Sequence, residues 1–156
     1  LNGSVYGGAT DLALCCDLRI GTPDLKMFVP AAAFGLHFYA GGMRRYVTRL
    51  GLPAASKLML TATTIESDEM LRIGFLGEIV PREQLGARVD ALLEHCARTV
   101  PATVAQMKRH LHALANAGLD SDSGRAALAS IAAAYGDSLA SDALRERLAA
   151  SGSQRR

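Results

Sequence analysis

Two adjacent glycines, Gly7 and Gly8, constrain this chain more than any other feature, because they stand between the turn signal Asn2-Gly3 and an apolar run that opens at Leu12. Glycine lets the backbone bend where other residues cannot, and lets a facing segment come close. Thr10-Asp11 then reads as the opening of a helix that continues through Leu12, Ala13, Leu14 and Cys15. A helix that starts at a glycine keeps its first N–H groups free of intrahelical partners. Those donors and the positive end of the helix dipole make an anion site, and they serve best an anion that develops only during a reaction. Asp11, one turn in, places a carboxylate beside that site.

Charge and composition exclude several classes of function. The chain has 156 residues, 49% apolar and 21% charged, which suits a globular domain. Its apolar stretches are broken by charge or glycine well short of a membrane span. A net charge of +2 gives no case for nucleic acid, since Arg44, Arg45 and Arg49 share one helix and no basic stripe is interleaved with aromatics. The three cysteines make neither a disulfide framework nor a metal set, which points to a reducing, cytoplasmic interior. Cys15 and Cys16 are expected as small buried residues of a packed helix. His95, His110 and His112 are expected on solvated or interfacial helix faces, with no ligands at metal spacing, so no metal is expected. No G-x-G-x-x-G follows a strand and no G-x-x-x-x-G-K-[ST] occurs, so nicotinamide and nucleoside triphosphate chemistry find no support.

Along the chain, residues 17–22 alternate as a strand, and a hairpin-like return leads to a second strand at 26–29, closed by Pro30. Residues 31–35 read as a compact turn stopped by a left-handed Gly35. Met43, Tyr46, Val47 and Leu50 recur at helical spacing over residues 40–50, with Arg44, Arg45 and Arg49 pointing elsewhere. Gly51 should close that helix and Pro53 open the next. Ser67 reads as the N-cap of a helix ending near Gly74, and residues 77–80 as a strand. Beyond Pro81 the pattern is helical, over residues 84–99, 101–117, 124–135 and 141–150. Leu85, Val89, Leu92, Leu93 and Cys96 give one apolar stripe, and Val104, Met107, Leu111 and Leu114 another.

The pattern NG-x-x-x-GG-x-x-[DE]-LA-x-x-CD-x-R-I over residues 2–20 resembles the crotonase superfamily, the enoyl-CoA hydratase and isomerase group. The likeness continues through FVPAAAFGLHFYAGGMRRYVTRLG, KLMLTATTIESDEMLRIGFLGEIVP and Lys108, about three quarters of the chain. It implies an α/β fold, the crotonase-like β-β-α spiral with a C-terminal helical layer. Residues 1–80 would form the C-terminal portion of that core, residues 81–150 a helical oligomerisation region and residues 151–156 a frayed tail. Members of the family carry a substantial segment before the point matching Leu1, so the N-terminal part of the fold, with the second oxyanion donor and much of the adenine-nucleotide contact, is expected outside this chain.

The resemblance also implies roles. The N–H at Gly8 would donate to a thioester oxygen, and Asp11 would move a proton. At Ala31 the sequence departs from the family, because hydratases carry glutamate after the proline of F-x-P-E. A methyl group transfers no proton. Isomerase-like or other non-hydratase chemistry on an acyl-CoA thioester is therefore expected, the alternative being a crotonase-like subunit that binds acyl-CoA, or forms the oligomer, without turnover. Coenzyme A would enter as part of the substrate, with no separate cofactor. His37 and Tyr39, in residues 35–42, are candidates to lie near the acyl group with Ala31, and the bland alternative makes them a loop histidine and a packing residue. Lys108 is a candidate for CoA phosphates, or an exposed helix lysine. Gly41-Gly42 reads either as a phosphate site or as close packing. The C-terminal helices of relatives mediate trimer contacts, so a homo-oligomer, a trimer or a dimer of trimers, is expected.

Overall fold

Gly7 adopts φ 55° and ψ −127°, a conformation that a side chain seldom permits, and the first helix, α1 (Gly8–Cys15), leaves directly from it. These details come from a computed structural model that describes residues 1–117 and 121–146. Just before the helix, β1 (Val5–Tyr6) runs parallel to β3 (Lys26–Phe28), with Val5 opposite Met27, and the Gly7 N–H donates to the Phe28 carbonyl at 3.1 Å. On its other edge β3 pairs antiparallel with β4 (Ile65–Glu66), with Met27 opposite Ile65, giving the order β1-β3-β4. A second sheet pairs β2 (Ile20–Gly21) with β5 (Glu78–Ile79) in parallel.

The hairpin expected between residues 17–22 and 26–29 does not form, because the two strands belong to different sheets. Asp24 takes a left-handed φ of 65° and redirects the chain, so that Leu25, Met27 and Val29 become buried. Pairing with sequence-distant strands buries these side chains, which a two-stranded return exposed to solvent would not do; each fully buried one contributes about 1.5–3 kcal/mol. The strand expected over residues 17–22 shortens to its last part because Arg19 is turned to another use. Its guanidinium donates to the carbonyls of Phe75 at 2.6 Å, Cys16 at 2.6 Å and Gly74 at 2.9 Å, tying the end of α1 to the segment before β5.

Residues 31–34 form a single 3-10 turn, Ala31–Phe34, stopped by Gly35 at φ 67°, as the sequence suggests. Next comes α2 (Ala40–Thr61), whose helical course is interrupted at Gly51, φ 79° and ψ 158°, just before Pro53. That break is the expected boundary between two helical segments. The short α3 (Ser67–Arg72) is not capped by Ser67. The Ser67 hydroxyl is buried and accepts from the Leu25 N–H at 2.8 Å while facing the Thr22 carbonyl at 3.1 Å, because backbone groups of that inward loop need partners more than an exposed helix end does. Leu14, Met27, Tyr46, Met70 and Phe75 are the deepest part of the core.

Cys15, Cys16 and Cys96 are all exposed, against the expectation that the first two are buried. In α1 the inward positions fall to Thr10, Asp11, Ala13 and Leu14, and the helix ends at Cys15 before its stripe returns inward. By contact, the chain divides into one unit spanning Leu1–Leu93 and another beginning at Glu94. Within the first, Leu85, Val89 and Leu92 of α4 (Leu85–Ala97) line an apolar cavity of about 290 Å³ with Ala13, Leu18 and Ile20. Within the second, α5 (Pro101–Asn116) packs on α6 (Asp122–Leu139), whose start is capped by the Ser121 hydroxyl accepting from the Gly124 N–H at 3.0 Å. Residues 142–146 are helical too, while the rest of the helix expected over 141–150, and the tail at 151–156, lie outside the described residues. Among the described residues no helix is long and apolar enough to cross a membrane.

Candidate active site

The first turn of α1 gathers the candidate chemistry. Gly8 is exposed, and among the described residues no acceptor takes its N–H, whereas the preceding Gly7 N–H is engaged in the sheet. The loop after β3 lies against this helix mouth: a Cβ built on Gly7 would sit 3.9 Å from Pro30 Cδ. That contact sets Pro30, the residue before Ala31 where the sequence lacks a carboxylate, against Gly7.

Asp11 is 4% exposed, and both of its oxygens are engaged. The Arg45 Nε donates to Oδ1 at 2.8 Å and Arg45 Nη2 to Oδ2 at 3.1 Å, a bidentate pair, while the Tyr39 hydroxyl donates to Oδ2. The Arg45 bonds, joined by that of Tyr39 and opposed by desolvation, hold the Asp11 carboxyl below the usual carboxylate range. Conversely, its bond to Asp11 raises the Tyr39 phenol above its ordinary value and keeps Arg45 firmly charged. A carboxylate offers about four lone-pair directions, and Arg45 and Tyr39 use three. Among the described residues, the second lone pair of Oδ1 stays open for a proton.

Arg45 is the residue that sequence reasoning missed. With Met43 39% and Val47 42% exposed, the helix turns Arg45 toward the buried carboxylate and Arg49 toward Asp17, at 3.6 Å. For Arg45 and Arg49 the expectation that they point away is overturned, while Arg44 stays exposed and Tyr46 buried as the spacing predicts, because an inward Asp11 without a cation would cost more than leaving two apolar side chains in water. The available signal was an acidic residue inside an apolar helix, with arginines nearby in the sequence and none assigned to it.

One position back along α1 and one position forward along α2, Thr10 meets Tyr46. Both are completely buried, and their hydroxyls are hydrogen-bonded. Thr10 Oγ1 also donates to the Gly7 carbonyl at 2.6 Å, and burial pushes the Tyr46 phenol up to about 12. Phe38 stacks on Tyr39, with ring centroids 5.0 Å apart, and meets Tyr46 edge-on at 5.8 Å. Gly42 completes this packing, since a Cβ there would fall 2.4 Å from Phe38 Cε1. Gly42 therefore serves close packing.

Of the remaining candidates, Ala31 and His37 line one apolar cavity of about 140 Å³, with Val29, Leu36, Phe38 and Met59. His37 is exposed, its Nδ1 lying 2.7 Å from the Phe38 carbonyl. The larger cavity, under α4, includes none of the candidate residues. Lys108 is exposed on α5, in the second unit. Among the described residues no cluster of three or more His, Cys, Asp or Glu side chains could hold a metal ion.

A family model described as enoyl-CoA hydratase/isomerase matches residues 1–140. The chain belongs to the enoyl-CoA hydratase/isomerase family. This places it in the crotonase superfamily and makes its fold crotonase-like. The chain is 32% identical over 126 residues to the crotonyl-CoA hydratase of Syntrophomonas wolfei, covering 81% of this chain and 47% of that protein. A solved enoyl-CoA hydratase from Bacillus anthracis superposes with a TM-score of 0.84 at 23% identity, over 97% of this chain and 57% of that one. A Thermobifida fusca protein solved in complex with CoA gives 0.76 at 27% identity, over 88% and 52%. This family member spans about half the length of the curated relatives it matches.

Proposed function

We propose that this chain supplies the catalytic half-site of an enzyme acting on acyl-CoA thioesters, with Gly8 N–H as a donor to the thioester oxygen and Asp11 as the proton-transfer group. The observation that carries the reading is the juxtaposition at one helix mouth of an N–H with no acceptor among the described residues and a buried carboxylate kept ionised by Arg45. Because Asp11 stays charged, it acts first as a base. It takes a proton from a carbon of the acyl chain, the electron pair moves toward the thioester oxygen at Gly8, and the proton returns at another carbon. The net result is a shifted double bond. Ala31 offers no second carboxylate to activate water, which favours this isomerase-like course, or another non-hydratase reaction on the same enolate. Coenzyme A is part of the substrate here, with Ala31, His37 and Tyr39 nearest the acyl group and Lys108 a phosphate contact.

The test is double-bond isomerisation of an enoyl-CoA by the purified protein and by Asp11→Asn. A loss of about 100-fold or more is expected for removal of a general base; equal rates in both proteins would take Asp11 out of the reaction. A second reading is favoured by the engagement of both Asp11 oxygens: a subunit that binds acyl-CoA or assembles with copies of itself without turnover. Calorimetric binding of CoA thioesters with no reaction across enoyl, hydroxyacyl and malonyl-type substrates would select it. For assembly, the exposed Met107, Leu111 and Tyr135 are the side chains that a second copy would cover, and light scattering reports the state.

A further inference from the structure

We infer that Thr10 and Tyr46 are positioning residues that aim and strengthen the Gly8 N–H, through a hydrogen-bonded chain ending on the carbonyl of the same peptide group. This rests on the reading of Gly8 as an oxyanion donor. The Gly7 carbonyl and the Gly8 N–H belong to one planar unit, and no cis peptide occurs among the described residues, so the two point in opposite directions. Whatever fixes the carbonyl fixes the N–H.

Two donors fix it. The Thr10 N–H reaches the Gly7 oxygen at 3.1 Å and the Thr10 hydroxyl reaches it at 2.6 Å. A threonine hydroxyl has one proton, and a carbonyl oxygen can only accept. The bond between Thr10 and Tyr46 must then run from the Tyr46 hydroxyl to Thr10 Oγ1. The order is Tyr46 O–H to Thr10 O–H to Gly7 C=O, with Gly8 N–H at the outer end. Donors aligned in this way polarise one another, and each bond accepted by a carbonyl makes the N–H of its peptide a better donor.

The anchor of the chain is rigid and dry. Tyr46 and Thr10 are both 0% exposed, so water does not compete for their hydroxyls, and the Tyr46 ring is held by Phe38. Gly7, by contrast, has no side chain to restrict it, and its φ of 55° and ψ of −127° are held by its hydrogen-bond partners rather than by a Cβ. A glycine peptide needs an external constraint if the N–H beyond it is to be preorganised, and preorganisation is what makes such a donor effective in a transition state. The chain from Tyr46 supplies that constraint, independently of the Asp11–Arg45 pair on the neighbouring positions. No proton needs to move along it.

The experiment compares the full chain with Tyr46→Phe, Thr10→Val and Thr10→Ser, using two readouts. The first is the amide resonance of Gly8 in glycine-labelled protein, identified by its absence in Gly8→Ala. The second is the infrared carbonyl stretch of an isotope-labelled enoyl-CoA thioester bound to each protein, with kcat and KM measured alongside. Tyr46→Phe and Thr10→Val should move the Gly8 resonance, lessen the lowering of the carbonyl stretch, and reduce kcat by about tenfold with little change in KM, since the donor is misaimed rather than removed. Thr10→Ser should restore all three. An unmoved Gly8 resonance in Tyr46→Phe, or an equal carbonyl shift in that variant and the unaltered chain, overturns the inference. If instead the Gly8 resonance responds but even the unaltered chain leaves the carbonyl stretch where free thioester has it, the positioning chain stands and the acyl-CoA reading falls.

Discussion

Replacing Arg45 by methionine removes the charge while keeping much of the side-chain volume, and strands Asp11 in a place built for a pair. The Asp11 side chain is 6% accessible and that of Arg45 31%, so the group left behind is the buried one. Breaking a fully buried pair from one side costs about 3–5 kcal/mol, and an exposed pair contributes at most about 1 kcal/mol. With Tyr39 still donating to Oδ2 and one partner a third open to water, the expected loss is about 2–3 kcal/mol. In a domain of this size that lowers Tm by about 4–12 °C.

The loss depends on pH in a definite sense. Asp11 is held below its ordinary value chiefly by Arg45, so its contribution to stability is full above the unfolded value of about 4 and fades as pH falls through the lower folded one. The gap between the native chain and Arg45→Met should therefore be widest near neutrality and narrow in acid. Circular-dichroism melts at several pH values measure it, and a cycle with Asp11→Asn isolates the coupling between the two residues. A variant that melts within a degree of the native chain at neutral pH, or whose deficit persists undiminished in acid, would refute the argument that a buried carboxylate is being compensated.

Gly7→Ala should cost about 1–3 kcal/mol in urea denaturation, because φ 55° and ψ −127° suit glycine, while Gly8→Ala, with nothing within 4 Å of its added Cβ, should stay near native stability. Gly42→Ala forces a methyl group against the Phe38 ring and should cost about 1–3 kcal/mol, with a change in near-ultraviolet dichroism as Tyr39 and Tyr46 lose their packing. Ala31→Glu returns a carboxylate to the partly exposed turn after Pro30; it should leave the melt nearly unchanged and introduce hydration of an enoyl-CoA, followed as loss of the conjugated thioester absorbance.

Much of this protein was written locally and could be read in one dimension. The Gly7-Gly8 pair, the left-handed stop at Gly35, the break at Gly51 before Pro53 and the helical pattern past Pro81 all depend on the conformational limits of a few adjacent residues, and the observed backbone follows them. The strand partners were not legible, since β2 and β3 each chose a sequence-distant neighbour and the nearby hairpin was passed over. Burial of Leu25, Met27 and Val29 decided that, and burial is a property of the whole packed unit.

The same division holds at the site. The residues alone pointed to Gly8 and Asp11, because a glycine-led helix and an early acidic residue constrain chemistry wherever they occur, while the missing carboxylate at Ala31 showed only against the family's pattern. Only the tertiary structure decided that Asp11 faces inward, and from that choice came the arginine turned against its helix pattern and the tyrosine that closes on it. A charge leaving water must find its opposite in three dimensions, and the distance from residue 11 to residue 45 along the chain says nothing about that meeting.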